Sequence, residues 1–273
     1  MSNTKSPIGI FDSGVGGLTV VQEVRKLMPT ESIVYVGDTA RAPYGGKDTE
    51  TLINHGREII NFLLKKNAKM IIMACGTSSS TSLEVLRKEF EGLPIVDTIR
   101  PAVKATLELT QQGEDIKPVF IATAATIKSG IFERLFTESL EKVPLYTRAC
   151  PLFAPMVEAG LTTIENHPLP IFAAQTYLAD LRGKVNALVL GCTHYPLLKG
   201  ALSHVLGDIT FINPAIATAE AAKNLLPPSP ETIPEVDYYT SGEPEKFAKI
   251  ARYILKEDCK PKKATFAAFF RRT

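Results

Sequence analysis

The stretch MIIMACGTSSS, Met70 to Ser80, carries an apolar run into a cysteine and then into a row of small hydroxyl residues. ALVLGCTHYP, Ala187 to Pro196, repeats that shape, and its Cys192 stands 117 positions after Cys75. A short apolar run bounded by small and polar residues reads as a strand buried on both faces of a parallel sheet. Ligands of such sheets sit beyond the carboxyl ends of the strands, so each thiol stands where a site would form. The plainer reading is a pair of core cysteines, because cysteine is among the residues most often buried.

Outward from these runs, short apolar segments alternate with longer amphipathic ones, the rhythm of a βα architecture. IGIF, SIVYVGD, KMIIMAC, LPIVDT, PVFIAT, VPLYTRA, ALVLGC, ITFIN and VDYYTS read as strands. TETLINHGREIINFLLKK reads as a helix, with Leu52, Ile53, Ile59, Ile60, Leu63 and Leu64 recurring at roughly helical spacing. LTVVQEVRKLM, EVLRKEF, PIFAAQTYLADLR and EKFAKIARYIL follow suit, and RAPYGGK, QQGEDIKP and LLPPSPETIPE supply the breakers. IGIFDSGVGGLT opens one half and PVFIATAATIKS another: Asp12 precedes Cys75 by 63 positions, and Thr123 precedes Cys192 by 69. Two equivalent lobes facing each other would bring both cysteine-bearing strand ends to one cleft. The expected fold is α/β, with mainly parallel sheets.

At 273 residues, 45% hydrophobic and 22% charged, the chain is an ordinary globular one. No apolar run approaches the roughly 20 residues of a membrane helix. The first strand begins within ten residues, without the basic, apolar, small order of a signal peptide, so the cytoplasm is the expected location. Four scattered cysteines with no CxxC pair argue against a disulfide scaffold and weaken zinc and thioredoxin-like readings. The net charge of +2 owes its sign to the tail KPKKATFAAFFRRT; removing its five basic residues leaves 26 Lys and Arg against 29 Asp and Glu. The body makes no case for a nucleic-acid partner. For the tail two readings stand: phosphate contact through its lysines, or packing of its three phenylalanines on the body.

DSGVGG, Asp12 to Gly17, follows a strand and precedes a helix, where backbone N–H groups cradle anions. Its spacing matches neither GxGxxG nor GxxxxGK[ST], which leaves a tight turn or one holding Asp12 and Ser13 beside a small anionic substrate. GDTARAPYGGK offers backbone donors and the phenol of Tyr44 at Pro43 to Gly45, or is an ordinary Pro-Gly loop. The hydroxyl run after Cys75 suits a helix start, and Pro196 suits the first turn of one after Cys192. A helix start lowers a nearby thiol pKa. His194 reaches Cys192 only from a bent turn.

A Cys–His hydrolase uses one thiol and leaves the second unexplained. A zinc site drafted from Cys150 and His194 fits no familiar spacing. Two acid/base groups on opposite faces of one tetrahedral carbon account for both thiols. One thiolate removes the α-proton and the opposite thiol returns one, inverting the centre. A thiol of pKa about 8.5 needs only a modest depression for that work.

These residues together resemble the glutamate racemase family, of the wider aspartate/glutamate racemase group. The likeness runs from IGIFDSGVGGLTV through YVGDTARAPYG, MACGTSSS, ACPLFAPMVEAG and LGCTHYPLL, over about the whole chain. It implies interconversion of L- and D-glutamate without cofactor or metal, supplying D-glutamate for peptidoglycan, with a small acidic amino acid as the partner molecule and no membrane. Cys75 and Cys192 are similar to the paired bases, Cys75 acting on the D- and Cys192 on the L-enantiomer. Asp12, Glu158 and His194 resemble the residues that assist them. Ser13, Pro43, Tyr44, Gly45, Gly76, Thr77, Thr123, Thr126 and Thr193, with Asp12, fall at the substrate-holding positions. The resemblance implies two similar three-layer α/β lobes, residues 1–97 with 208–273 and residues 98–207, with the active site between them. Oligomeric state leaves no mark in the sequence; a homodimer is carried forward as the expectation.

The chain departs from the family pattern at three places. Cys75-Gly76-Thr77 stands where Cys-Asn-Thr is usual, Ile99-Arg100-Pro101 where Ile-Glu-Pro is common, and INPA (Ile212 to Ala215) where Ile-Asp-Ser is frequent. Losing the asparagine's bond to a charged substrate would cost about 1.5–3 kcal/mol. Gly76 therefore keeps two alternatives open: a racemase of aspartate or another acidic amino acid, and a weakly active homologue that binds an acidic ligand.

Overall fold

The β-branched and aromatic runs that read as strands fold as strands. In the computed structural model, which describes residues 6–111, 116–138, 145–162, 167–227 and 233–266, these are β1 (Ile8–Asp12), β2 (Ile33–Gly37), β3 (Met70–Met73) and β4 (Ile95–Asp97). There follow β5 (Pro118–Ala122), β6 (Tyr146–Ala149), β7 (Ala187–Leu190), β8 (Thr210–Ile212), β9 (Val236–Thr240) and β10 (Lys262–Lys263). They form two sheets, ordered β10-β9-β2-β1-β3-β4 and β6-β5-β7-β8, and every pairing is parallel. All nine segments that read as strands are present. β10 carries two exposed lysines and has no apolar signature to betray it.

Side chains alternate across each sheet, as the strand period of two requires. Ile8, Ile10, Met70 and Ile72 enter one core of the first sheet with the helices Leu18–Leu27, Pro214–Leu225 and Pro244–Leu255. Phe11, Ile71 and Met73 enter the other with Thr49–Lys65 and Leu83–Glu89. The second sheet is layered likewise. Val119, Ile121, Leu188 and Leu190 face Phe153–Glu158, Leu169–Leu178 and Lys199–Leu206. Phe120, Ala122, Ala187 and Val189 face Ile99–Gln111 and Ile131–Thr137. The result is two lobes, each a parallel sheet between helices. Among the described residues no helix is long and apolar enough to cross a membrane.

Two departures from the family pattern fall where the chain passes between lobes. Asp97 accepts from the N–H groups of Ile99 (2.8 Å) and Arg100 (2.9 Å), capping the helix that leaves the first sheet. Such a cap contributes about 1 kcal/mol. Arg100 pairs with Glu84 and reaches Asp97, and it does not line the cavity between the lobes. On the way back, Asn213 caps Pro214–Leu225 by accepting from Ala215 N–H at 3.1 Å. The return expected at residue 208 lies later than that, because Thr210–Ile212 pairs with β7 in the second sheet and the chain changes lobes only after Ile212. Phe269, Phe270, Arg271 and Arg272 of the basic tail, and parts of VPLYTRA, QQGEDIKP and LLPPSPETIPE, lie outside the described residues. Phe266, within them, packs edge-on against Phe62 and beneath the Arg41 guanidinium.

Candidate active site

Both thiols project from the carboxyl ends of central strands. Cys75 stands two residues past β3, which is flanked by β1, and Cys192 two residues past β7, which is flanked by β5. Between the lobes lies a cavity of about 800 Å³ with Cys75 on one wall and Cys192 on the other. The thiols are 5% and 8% exposed, low enough to keep bulk water from the reacting atoms.

Cys75 stands immediately before the short helix Gly76–Thr81, and its Sγ lies 3.7 Å from the Ser13 hydroxyl. Burial, and then the nearby Asp12 charge, push its pKa up to about 12, against the Ser78 N–H and the Ser13 hydroxyl, which favour the thiolate. The lowering expected from a helix start is therefore overturned here. Six residues of helix and two hydrogen bonds do not offset the loss of solvent.

Cys192 has a different environment. The chain bends after β7, with Cys192 N–H donating to Leu190 C=O and Tyr195 N–H to Cys192 C=O, so the ring two residues on turns back toward the thiol. His194 Nδ1 lies 3.6 Å from Cys192 Sγ, and its Nε2 lies 2.7 Å from Glu158 Oε1. Burial opposes a charged ring, yet the contacts with Cys192 and Glu158 hold the His194 pKa well above the usual histidine value. Burial likewise opposes the Glu158 carboxylate. The His194 hydrogen bond and charge and the Val15 N–H overcome it, leaving the Glu158 pKa below its ordinary value. The set is an imidazole held between a sulfur and a carboxylate, and both contacts favour its charged form.

The glycine-rich turn explains itself against this set. A Cβ on Gly14 would lie 2.1 Å from Glu158 Oε1, and one on Gly16 would lie 2.6 Å from His194 Nδ1. Val15 between them donates its N–H to Glu158 Oε1 at 3.1 Å. One backbone donor of DSGVGG thus meets a carboxylate of the other lobe. Asp12 closes the turn by accepting from Gly17 N–H at 2.8 Å, with the Thr193 hydroxyl 3.4 and 3.5 Å from its two oxygens.

Ser13, Pro43, Tyr44, Gly45, Gly76, Thr77, Thr123, Glu158, Thr193 and His194 all line the cavity. Asp12 and Thr126 do not: both are fully buried one layer behind it, Thr126 bonded through its hydroxyl to Thr123 at 2.9 Å. Thr123 in turn meets Thr77 across the cleft at 2.9 Å, a hydroxyl bridge between lobes. Tyr44 differs from expectation. Its phenol bonds to buried Asp38, so the loop presents ring and backbone to the cleft, and the ring packs on Cys75. Asp38 also takes Arg41 Nε at 2.7 Å and the Ser241 hydroxyl at 2.6 Å. An acid directly after a strand was its signal in the sequence. Lys246 and Lys263, at the rim, had none. Cys150 belongs to the core around Phe153 and Tyr195, with its carbonyl held by the Tyr195 hydroxyl at 2.8 Å.

Opposed thiols at the strand ends of two parallel-sheet lobes, one with a histidine–carboxylate pair, define a two-lobed α/β protein built for proton transfer at a carbon between the lobes. The chain belongs to the Asp/Glu/Hydantoin racemase family, whose model matches residues 18–222. A curated relative named glutamate racemase, from Aquifex aeolicus, is 38% identical over 255 residues, 93% of this chain and 96% of the relative. The Bacillus anthracis glutamate racemase isoform RacE1 superposes with a TM-score of 0.88 at 31% identity, covering 96% of this chain and 98% of that one. The Francisella tularensis glutamate racemase, solved in complex with D-glutamate, superposes with a TM-score of 0.84 at 30% identity and the same coverage.

Proposed function

We propose that the protein interconverts L- and D-glutamate by two-base proton transfer without a cofactor. The observation that carries this reading is the pair of thiols on opposite walls of one cavity. In the L-to-D direction Cys192 is the base. As a thiolate beside charged His194 it takes the α-proton, and the C–H electron pair passes into the α-carboxylate. Cys75, a neutral thiol at ordinary pH because of its raised pKa, gives its proton to the opposite face. The pair then holds the complementary protonation state, which is the one D-glutamate requires, and exchange with water resets it. Glu158 keeps His194 charged and oriented. Ser13, Thr77, Thr123 and Thr193 supply hydroxyls, and the turn at Pro43 to Gly45 supplies backbone, for the carboxylates and the ammonium of the substrate. Asp12 acts through Gly17 and Thr193, from behind the wall. Such thiols must stay reduced, which supports a cytoplasmic location, and the D-glutamate formed there would supply peptidoglycan synthesis.

L-Glutamate incubated in deuterated water without added cofactor should yield D-glutamate carrying deuterium at the α-carbon. The absence of both exchange and inversion would sink the reading, and activity retained by Cys75→Ser or Cys192→Ser would sink the two-base assignment. The same assay run on aspartate decides the alternative that Gly76 keeps open: a higher kcat/KM on aspartate would move the assignment to that acid. Tight binding of glutamate with no α-proton exchange would favour a binding role.

A further inference from the structure

We propose that Gly76 is a positioning residue: it sets how closely the two thiol-bearing strand ends approach each other. The inference rests on the two-base reading and changes the part Gly76 plays in it. A Cβ built on Gly76 would stand 2.4 Å from the carbonyl oxygen of Gly191, 3.5 Å from its carbon and 3.9 Å from the Cα of Cys192. All three atoms are backbone of the opposite lobe, immediately before and at the second thiol. The space an asparagine would use is filled by the other catalytic turn.

Each turn is tied to its own lobe. Gly191 donates its N–H to Ile121 C=O at 2.8 Å, and its own Cβ position is walled by Ile121 O at 2.8 Å, the Phe132 ring at 2.9 Å and Ala122 at 3.0 Å. On the Cys75 side, Ser79 N–H donates to Cys75 C=O at 2.9 Å and the Ser79 hydroxyl to Met73 C=O at 3.0 Å, tying the helix start to β3. Any side chain at 76 must therefore separate the lobes. To bring 2.4 Å out to the 3.4 Å of ordinary contact, the strand ends part by about 1 Å. A displacement of that size at reacting groups costs about 10²-fold in rate. Gly76 is thus matched to a closed cleft in which the Gly191 carbonyl occupies the space a side chain at 76 would need.

The two accounts of Gly76 predict opposite signs. If glycine only removes a substrate bond, Gly76→Asn should raise kcat/KM on glutamate. If it sets closure, Gly76→Asn and Gly76→Ala should both lower kcat, by roughly 10- to 100-fold, and alanine, which adds one methyl and offers no amide, decides the matter if the asparagine variant does not fold. Peptide-resolved iodoacetamide labelling reads the separation without turnover. In Gly76→Ala, Cys75 and Cys192 should label several-fold faster than in wild type, relative to half-buried Cys259, while Cys150 in the second-lobe core stays unlabelled. A gain with asparagine, a kcat unchanged in alanine, a loss of kcat with unchanged labelling, or labelling of Cys150 in step with Cys192 would each overturn the assignment. Failure of the wild type to racemise glutamate would instead remove the function reading, and the labelling comparison would still judge Gly76.

Discussion

Glu158→Gln isolates the histidine–carboxylate half of the site. The carboxylate accepts from His194 Nε2 at 2.7 Å and from Val15 N–H at 3.1 Å, and a neutral amide of the same shape keeps the packing but not the charge. A hydrogen bond between charged groups in such a setting contributes about 1.5–3 kcal/mol. Lost from the transition state, that is about 10- to 150-fold in kcat/KM. The enantiomers have equal free energy, so kcat/KM must fall equally in both directions. Asymmetry appears in the α-deuterium isotope effect. Slowing transfer at Cys192 should raise the effect on kcat/KM for deuterated L-glutamate, whose proton Cys192 takes, and drive the effect for deuterated D-glutamate toward unity. Polarimetry on both deuterated enantiomers reads this directly. A drop in kcat/KM with unmoved isotope effects, or with the opposite pattern, would refute the assignment of the pair to Cys192. Stability supplies a second reading. His194 has a folded pKa above its ordinary 6.5, so its contribution is fully present below that pH and is lost as pH rises through the folded value. Glu158 has a folded pKa below its ordinary 4.5, so its contribution is present above that pH and is lost on acidification. Urea midpoints followed upward from pH 6 should therefore decline more for wild type than for the variant.

Gly14→Ala should reproduce the isotope signature of Glu158→Gln without touching a titratable group, because its Cβ would stand 2.1 Å from the Glu158 oxygen and push it off His194; wild-type isotope effects in this variant would show that the turn does not seat the carboxylate. Tyr44→Phe removes a hydroxyl committed to Asp38, so glutamate KM should stay within about twofold while stability drops by roughly 1.5–3 kcal/mol in urea unfolding. A tenfold rise in KM would place the phenol on the substrate.

The strand and helix pattern was legible because it is local. Apolar runs buried on both faces of a parallel sheet announce themselves over five residues, as Ile8–Asp12 and Pro118–Ala122 do. The place of both thiols at strand ends, and the correspondence of β1 and β3 with β5 and β7, followed from the same runs. β10 escaped because two lysines on an edge carry no such pattern. The return to the first lobe was misplaced by a few residues because a three-residue strand pairs with whichever sheet its neighbours reach.

What the sequence determined by itself, then, is the βα rhythm, the two cysteines at matching positions, and the residues around them that carry the family likeness. Tertiary structure decided what those residues touch. Glu158 meets Val15 across 143 positions, Thr193 meets Asp12 across 181, and Gly76 meets Gly191 through backbone alone. It also decided that Cys75 is held as a neutral thiol, that Tyr44 serves Asp38, and that Asp12 and Thr126 stand behind the wall they were expected to form. The physical reason is common to all of them. Burial, hydrogen-bond partners and steric room at a cleft between lobes are properties of two surfaces brought together, and neither surface is encoded in a single stretch of chain.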